Sequence, residues 1–154
     1  MPSLLQLYQV LAKAPLGKAL YSRLVGVKAP YFASIRPAVS HLSPQQCEVR
    51  IRNARRVHNH LGTVHAIALC NMAELSGGLL TDANVTPKQR WIPRGMQVQY
   101  LKKAVTDLRA VATPTGTLPA VGESGSFPVH IAIYDIAEQL VFTADIDMWV
   151  TPKK

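Results

Sequence analysis

Apolar positions change their period several times along this 154-residue chain. Leu4, Leu7, Tyr8 and Leu11 recur at helical spacing, and after Pro15 a second short pattern of Leu16, Leu20 and Leu24 runs to Gly26, so two amphipathic helices are predicted. From Ser34 the period falls to two. In "CEVRIR", Cys47, Val49 and Ile51 alternate with Glu48, Arg50 and Arg52; with "SIRPAVSHL" before a turn at "SPQQ", this predicts a hairpin with one wet face. The helical period returns in "HNHLGTVHAIALCNMAELSGG", His58 to Gly78, and predicts the longest helix over 63–80, its last turn weakened by Gly77 and Gly78. Almost no charge interrupts it before Asp82, so this helix is expected to be buried on most sides.

"TDANVTPKQRWIPRG" has the composition of a connection, "MQVQYLKKAVTDLRAVATP" that of one or two strands, and "TPTGTLPAVGESG" that of a loop. Phe127, Val129, Ile131 and Ile133 then alternate in one strand, and Leu140, Phe142, Ala144, Ile146 and Met148 in the next, on either side of a turn near 135–138. A hairpin, one buried helix and three or four antiparallel strands predict an α+β fold, a curved sheet wrapped around a central helix. The length suits a single domain, 1–154, with a helical extension at 3–26 and a core over about 30–150.

Composition narrows the picture less than the pattern does. Apolar residues make up 48% and charged residues 17%, which is a folded chain and not a disordered one. The net charge of +8 favours anionic partners in general: nucleic acid, anionic lipid or a phosphate-bearing cofactor. Nucleic acid has only charge in its favour, because the basic residues of "VRIRNARR" and "KKAVTDLR" are not interleaved with aromatics. No signal-peptide core or 18-residue apolar run is present, so a soluble cytoplasmic protein without stable membrane insertion is expected. Cys47 and Cys70 fit small apolar core positions, and no metal cluster accompanies them. Phosphate loops, GxGxxG, nucleophile elbows and HExxH are missing, and no cofactor is expected.

The candidate chemistry lies on the long helix. At 100° per residue, Glu74 shares a face with Ile67, Cys70, Asn71 and Gly78, whereas His65 lies on the opposite side near Leu69, Met72 and Ser76. His65 and Glu74 are therefore no same-face pair. The helix start offers unpaired N–H groups from about Val64 to Ile67 to an anion or developing oxyanion. Those donors lie roughly 12 Å along the axis from Glu74, too far for one helix to place both around a single carbonyl. A two-fold dimer with antiparallel helices brings the start of one to Glu74 of the other. As plain structure, Glu74 is a satisfied carboxylate or part of an exposed stripe, His65 a tautomer-fixed hydrogen-bonder, His58 and His60 loop residues, and Gly62 before an N-capping Thr63 a helix-initiating turn.

The order of elements and "NHLGTVHAIALCNMAELSGG" resemble the hotdog-fold thioesterase superfamily, particularly the phenylacetate-pathway-type acyl-CoA thioesterases and a group of uncharacterised bacterial hotdog-like proteins. Asn59, Gly62, His65 and the acidic residue nine positions beyond it match at family spacing over about residues 30–150. The resemblance implies a hotdog fold, dimers joined sheet edge to sheet edge, pairs of dimers, and hydrolysis of acyl-CoA to free acid and CoA. It implies that the Ala66 N–H holds the thioester carbonyl while Glu74 of the partner subunit activates water or attacks. Asn59 and His65 would position substrate or backbone, with Gly62, Thr63, Asn71 and Gly78 lining the site. Ala66 departs from the common glycine, keeping the N–H and adding a methyl group. To work as a base, Glu74 needs desolvation to raise its pKa. Arg90, Arg94, Lys102 and Lys103 are candidates to meet the phosphates of the carrier. A hydratase or dehydratase, and a non-catalytic acyl-thioester or lipid-binding module, are the alternatives on the same fold.

Overall fold

The computed structural model describes residues 3–153. Ser3 opens α1 (Leu4–Leu11) with a capping box, its hydroxyl accepting from the Gln6 N–H while the Gln6 side chain accepts from Ser3 N–H. Helix α2 (Gly17–Lys28) and a 3₁₀ segment (Pro30–Ile35) follow, then strands β1 (Ala38–Leu42) and β2 (Cys47–Ile51), a 3₁₀ turn (Arg55–Val57) and α3 (Ala66–Asn84). Strands β3 (Gln89–Tyr100), β4 (Leu108–Pro114), β5 (Gly125–Tyr134) and β6 (Leu140–Pro152) complete one antiparallel sheet in the order β1-β2-β4-β5-β6-β3. This is the expected α+β hotdog architecture: one long helix on a six-stranded antiparallel sheet, with extra N-terminal helices.

Helix α3 lies close on the middle of the sheet because two glycines allow it. A Cβ on Gly77 would stand 3.1 Å from Met148 and 3.2 Å from Val129, and one on Gly78 would stand 2.9 Å from the Trp91 ring. The glycines that weaken the helix locally are thus what admit β5, β6 and Trp91, and the helix runs on to Asn84 instead of fraying at Leu80. Its start also differs from 63. Val64 bridges to His58, and its N–H and that of His65 are used by the carbonyls of Ala104 and Val57, so the first helical residue is Ala66 and the cap is His65, not Thr63.

The other departure is β3, which begins inside the expected connection and runs through Pro93 and Gly95, where its pairing with β6 shifts register. An edge strand tolerates this, because only one side must supply a ladder. The two edges of the sheet are treated differently. On β1 the Val39 N–H donates to Ser22 Oγ at 2.9 Å, and the Ser40 carbonyl accepts from the Tyr8 hydroxyl at 2.9 Å and from Lys18 Nζ at 2.8 Å, so α1 and α2 cover that edge. On β3 the outer edge is open, and Ile92, Met96 and Tyr100 are exposed along it.

Candidate functional site

Asn59 organises the approach to α3. Its Oδ1 accepts from the N–H groups of Leu61 (2.9 Å) and Thr63 (3.2 Å), its Nδ2 donates to Thr63 Oγ1 at 2.8 Å, and Gly62 turns the chain with a φ of 76°. The adjoining His58 Nε2 is 2.6 Å from Asn53 Oδ1, which ties this loop to the segment leading out of β2, while His60 is exposed. Asn59, Gly62 and Thr63 therefore form one compact turn.

That turn delivers His65 as the N-cap of α3. Its Nδ1 accepts from the Ile67 N–H at 3.0 Å, which makes Nε2 the protonated nitrogen and leaves it facing outward on an exposed ring. Of the expected donors from Val64 to Ile67, three are thus occupied. The Ala66 N–H has no acceptor among the described residues and stands at the positive end of a 19-residue helix. A carbonyl oxygen approaching it gains a hydrogen bond that no described residue takes.

Glu74 is half-buried and has no ion-pair partner among the described residues. It lies on the side of α3 turned toward the open β3 edge, with Ile67 exposed and Cys70 half-buried on the same side. Tyr100, from the end of β3, places its hydroxyl 3.3 Å from Cys70 Sγ; this hydrogen bond, followed by partial burial, pushes its pKa up to about 12. Within one chain Glu74 and Ala66 are two helical turns apart, as the 1.5 Å rise requires.

Two of the expected site residues, Asn71 and Gly78, are packed under other elements. Asn71 is buried under the 3₁₀ segment, its Nδ2 donating to the Tyr31 carbonyl (3.4 Å) and to Ser34 Oγ (3.3 Å), while its Oδ1 has no partner. Gly78 is covered by Trp91, whose Nε1 donates to Asp82 Oδ1 at 2.8 Å. Burial raises the Asp82 carboxyl, opposed by this bond and by the charges of Lys28 and Lys153. A cavity of about 230 Å³ lies here between the N-terminal helices and α3, lined by Leu4, Val25, Phe32, Leu75, Gly78 and Leu79 among others; it begins within one helical turn of Glu74.

Of the expected phosphate-binding residues, three are engaged. Arg94 pairs with Asp147 at 2.6 Å and stacks over Trp149, Lys102 donates to Gln139, and Arg90 donates to Thr151. Charge counting along the chain missed a different group, Arg36, Arg52 and Arg56, which line one cleft of about 760 Å³. Their signal was the run "VRIRNARR", but nothing local brings Arg36 to it. Cys47 is buried, and burial pushes its thiol far above the usual range. Among the described residues no cluster of three metal-ligating side chains occurs, and no helix is long and apolar enough to cross a membrane.

A helix wrapped by an antiparallel sheet, with a free N–H at its start and a carboxylate two turns on, is a hotdog fold, shared with solved structures of thioesterases. The chain belongs to the family described as "Domain of unknown function (DUF4442)", whose model matches residues 17–150. A structural-genomics target, APC5556, has a crystal structure 43% identical to the chain, covering 97% of this chain and 99% of that one with a TM-score of 0.82. A probable thioesterase from Pseudomonas aeruginosa is 21% identical over 90% of this chain and 98% of its own, TM-score 0.76. A thioesterase from Staphylococcus aureus, crystallised as a glutamine-to-alanine and as a glutamate-to-alanine variant, is similar too; the first is 14% identical over 80% of this chain and 99% of its own, TM-score 0.73. No curated protein matches the chain.

Proposed function

We propose that this protein hydrolyses acyl-CoA thioesters to free acid and CoA, as a homodimer or a pair of dimers, in the cytoplasm. The observation that carries the reading is the pairing of an unused Ala66 N–H with an unpaired, half-buried Glu74 on one helix, beside an open sheet edge. Joining β3 to β3 of a second copy about a two-fold axis completes the open ladder and runs the two α3 helices antiparallel, so the donor of one chain faces the carboxylate of the other. The reading treats residues 1–154 as one hotdog unit with residues 3–26 as an appendage.

In this site the thioester oxygen accepts from the Ala66 N–H, and Glu74 of the partner subunit removes a proton from water. The water oxygen bonds to the carbonyl carbon, negative charge collects on the oxygen held by Ala66, and the C–S bond breaks as the thiolate leaves with a proton. Direct attack by the carboxylate, with an anhydride then hydrolysed, uses the same geometry. Asn59 with Gly62 and Thr63 holds the turn that presents the donor, and His65 Nε2–H faces the substrate side. Asn71 and Gly78 bound the acyl end through the segments they pack against. In the S. aureus thioesterase, the altered glutamine and glutamate are fifteen positions apart. Asn59 and Glu74 have the same separation, which supports reading them as one constellation.

A screen of short, long and aromatic acyl-CoA substrates, with Glu74→Gln beside the wild type, tests the reading. Loss of a general base lowers kcat by about 10²- to 10⁴-fold. Hydrolysis undiminished in the variant sinks the mechanism, and so does full activity in a strictly monomeric protein. Turnover of hydroxyacyl or enoyl thioesters without hydrolysis selects the hydratase alternative, and tight binding without turnover selects the binding module.

A further inference from the structure

The cleft lined by Arg36, Arg52 and Arg56 carries five arginines against three carboxylates in its wall. Two other arginines in its wall are committed: Arg50 and Arg109 both pair with Glu48, and Arg109 also with Glu138. The remaining carboxylates of the wall, Asp107 and Asp135, are held by neutral backbone N–H groups and keep their negative charge. Asp107 accepts from the Asn53 N–H at 2.8 Å, and Asp135 accepts from the N–H groups of Ala137 and Gln139 at 2.9 Å each, closing the turn after β5. Arg36, Arg52 and Arg56 are exposed, and their guanidinium groups donate to no acceptor among the described residues. Three exposed guanidinium groups against these two carboxylates leave a positive excess on one concave surface, and an anion bridging the arginines relieves their mutual repulsion.

The cleft lies next to the start of α3. The Val57 carbonyl accepts from the His65 N–H at 2.7 Å, and Arg56 is the residue before Val57. Standard backbone dimensions then put the Arg56 Cα within about 13 Å of the Ala66 nitrogen. The arm of a CoA thioester between its diphosphate and its sulfur contains two amide units and a pantoyl segment, about four extended residues in length or roughly 14 Å. A volume of about 760 Å³ is in the range of cofactor-sized sites.

The geometry points to this cleft as the seat of the phosphorylated nucleotide end of a CoA thioester, with Arg36, Arg52 and Arg56 holding its phosphates and the arm running past Val57 to the Ala66 N–H. This assignment rests on the hydrolase reading for the identity of the thioester end. It replaces Arg90, Arg94 and Lys102, which have partners of their own.

Binding of CoA and of adenosine 3′,5′-bisphosphate, measured by titration calorimetry, separates the two readings because neither probe is hydrolysed. Wild type and Glu74→Gln should bind both alike. The Arg52→Gln, Arg56→Gln double variant should bind both at least roughly tenfold more weakly, and the wild-type affinity should fall as salt rises. Lysine at the same two positions should restore part of the affinity and report that the fold is intact, and Arg90→Gln, an equal loss of surface charge, should change nothing. In turnover, the double variant should raise KM for an acyl-CoA and leave that of the acyl-N-acetylcysteamine thioester, which lacks the nucleotide, where it was. A protein that binds the nucleotide but hydrolyses nothing ends the catalytic proposal and keeps this one. Wild type that fails to bind either probe, a double variant with unchanged affinity, or an equal KM rise for the truncated thioester would each overturn it.

Discussion

Replacing Asn71 by alanine is expected to raise the stability of the fold, although it removes two hydrogen bonds from a buried residue. The side chain is 6% exposed, and its Oδ1 has no partner. An orphaned buried acceptor costs about 1–3 kcal/mol, and the change to alanine inside a helix adds about 0.5 kcal/mol in its favour. Against this stand the two bonds from Nδ2, at 3.4 and 3.3 Å, both near the outer limit of useful geometry. Bonds that long lie at the weak end of the usual range, about 0.5 kcal/mol each. Removing them strands nothing, because Tyr31 and Ser34 are exposed and the Ser34 hydroxyl already donates to the Tyr31 carbonyl at 2.7 Å. The balance is about 1 kcal/mol of stabilisation, or a rise of roughly 2–4 °C in Tm for a chain of this size. Urea unfolding with an unchanged m-value and a thermal melt at one protein concentration would measure it. A Tm lowered by 2 °C or more refutes the reasoning, because it means that Oδ1 is satisfied in solution. A more stable variant with a lower kcat/KM would mark the orphaned oxygen as kept for substrate.

Charge on the open edge tests the dimer. Met96→Glu sets two carboxylates against each other across a β3–β3 contact and should raise the dimer Kd at least roughly tenfold, read by light scattering, with hydrolysis falling in step; an unchanged dimer refutes that interface. The Trp91–Asp82 bond gives a pH signature. The folded pKa of Asp82 is raised, so its contribution is fully present below the unfolded value and is lost as pH rises through the folded one. Trp91→Phe removes a donor that opposes the rise, so the variant should lose more stability at about pH 7 than at about pH 4, by roughly 1 kcal/mol, the difference between a bond to a charged and to a neutral carboxyl; an equal loss at both pH values contradicts this. In native protein a maleimide should modify the half-buried Cys70 and leave Cys47 untouched, since Cys47 is buried with its thiol held protonated. Two equivalents of label in native protein, counted by mass spectrometry, would contradict that burial.

Much of the candidate site was legible because it is local. The turn of Asn59, Gly62 and Thr63 is built from contacts no more than four residues apart, and Ala66 and Glu74 share one helix whose rise sets their separation. Spacing along that helix also rejected an intrachain His65–Glu74 pair, and His65 proves to be the cap of the helix and no part of its face. The side chains of Asn71 and Gly78 were less legible, because a helical wheel gives direction but not neighbours. What stands on that side is a 3₁₀ segment about forty residues earlier and a tryptophan from an edge strand.

The alternation in β5 and β6, the two N-terminal helices and the buried central helix were determined by the sequence itself, since burial on one face leaves its period in the chain. The tertiary structure decided the rest. Strand β3 crosses Pro93 and Gly95 because it lies at an edge, and α3 starts at Ala66 because the N–H groups of Val64 and His65 find partners in distant loops. Only folding brings Arg36 beside Arg52 and Arg56 and pairs the neighbouring Arg50 and Arg109 with Glu48. A charge is visible in a sequence wherever it stands, whereas its freedom from neutralisation depends on what the fold places around it.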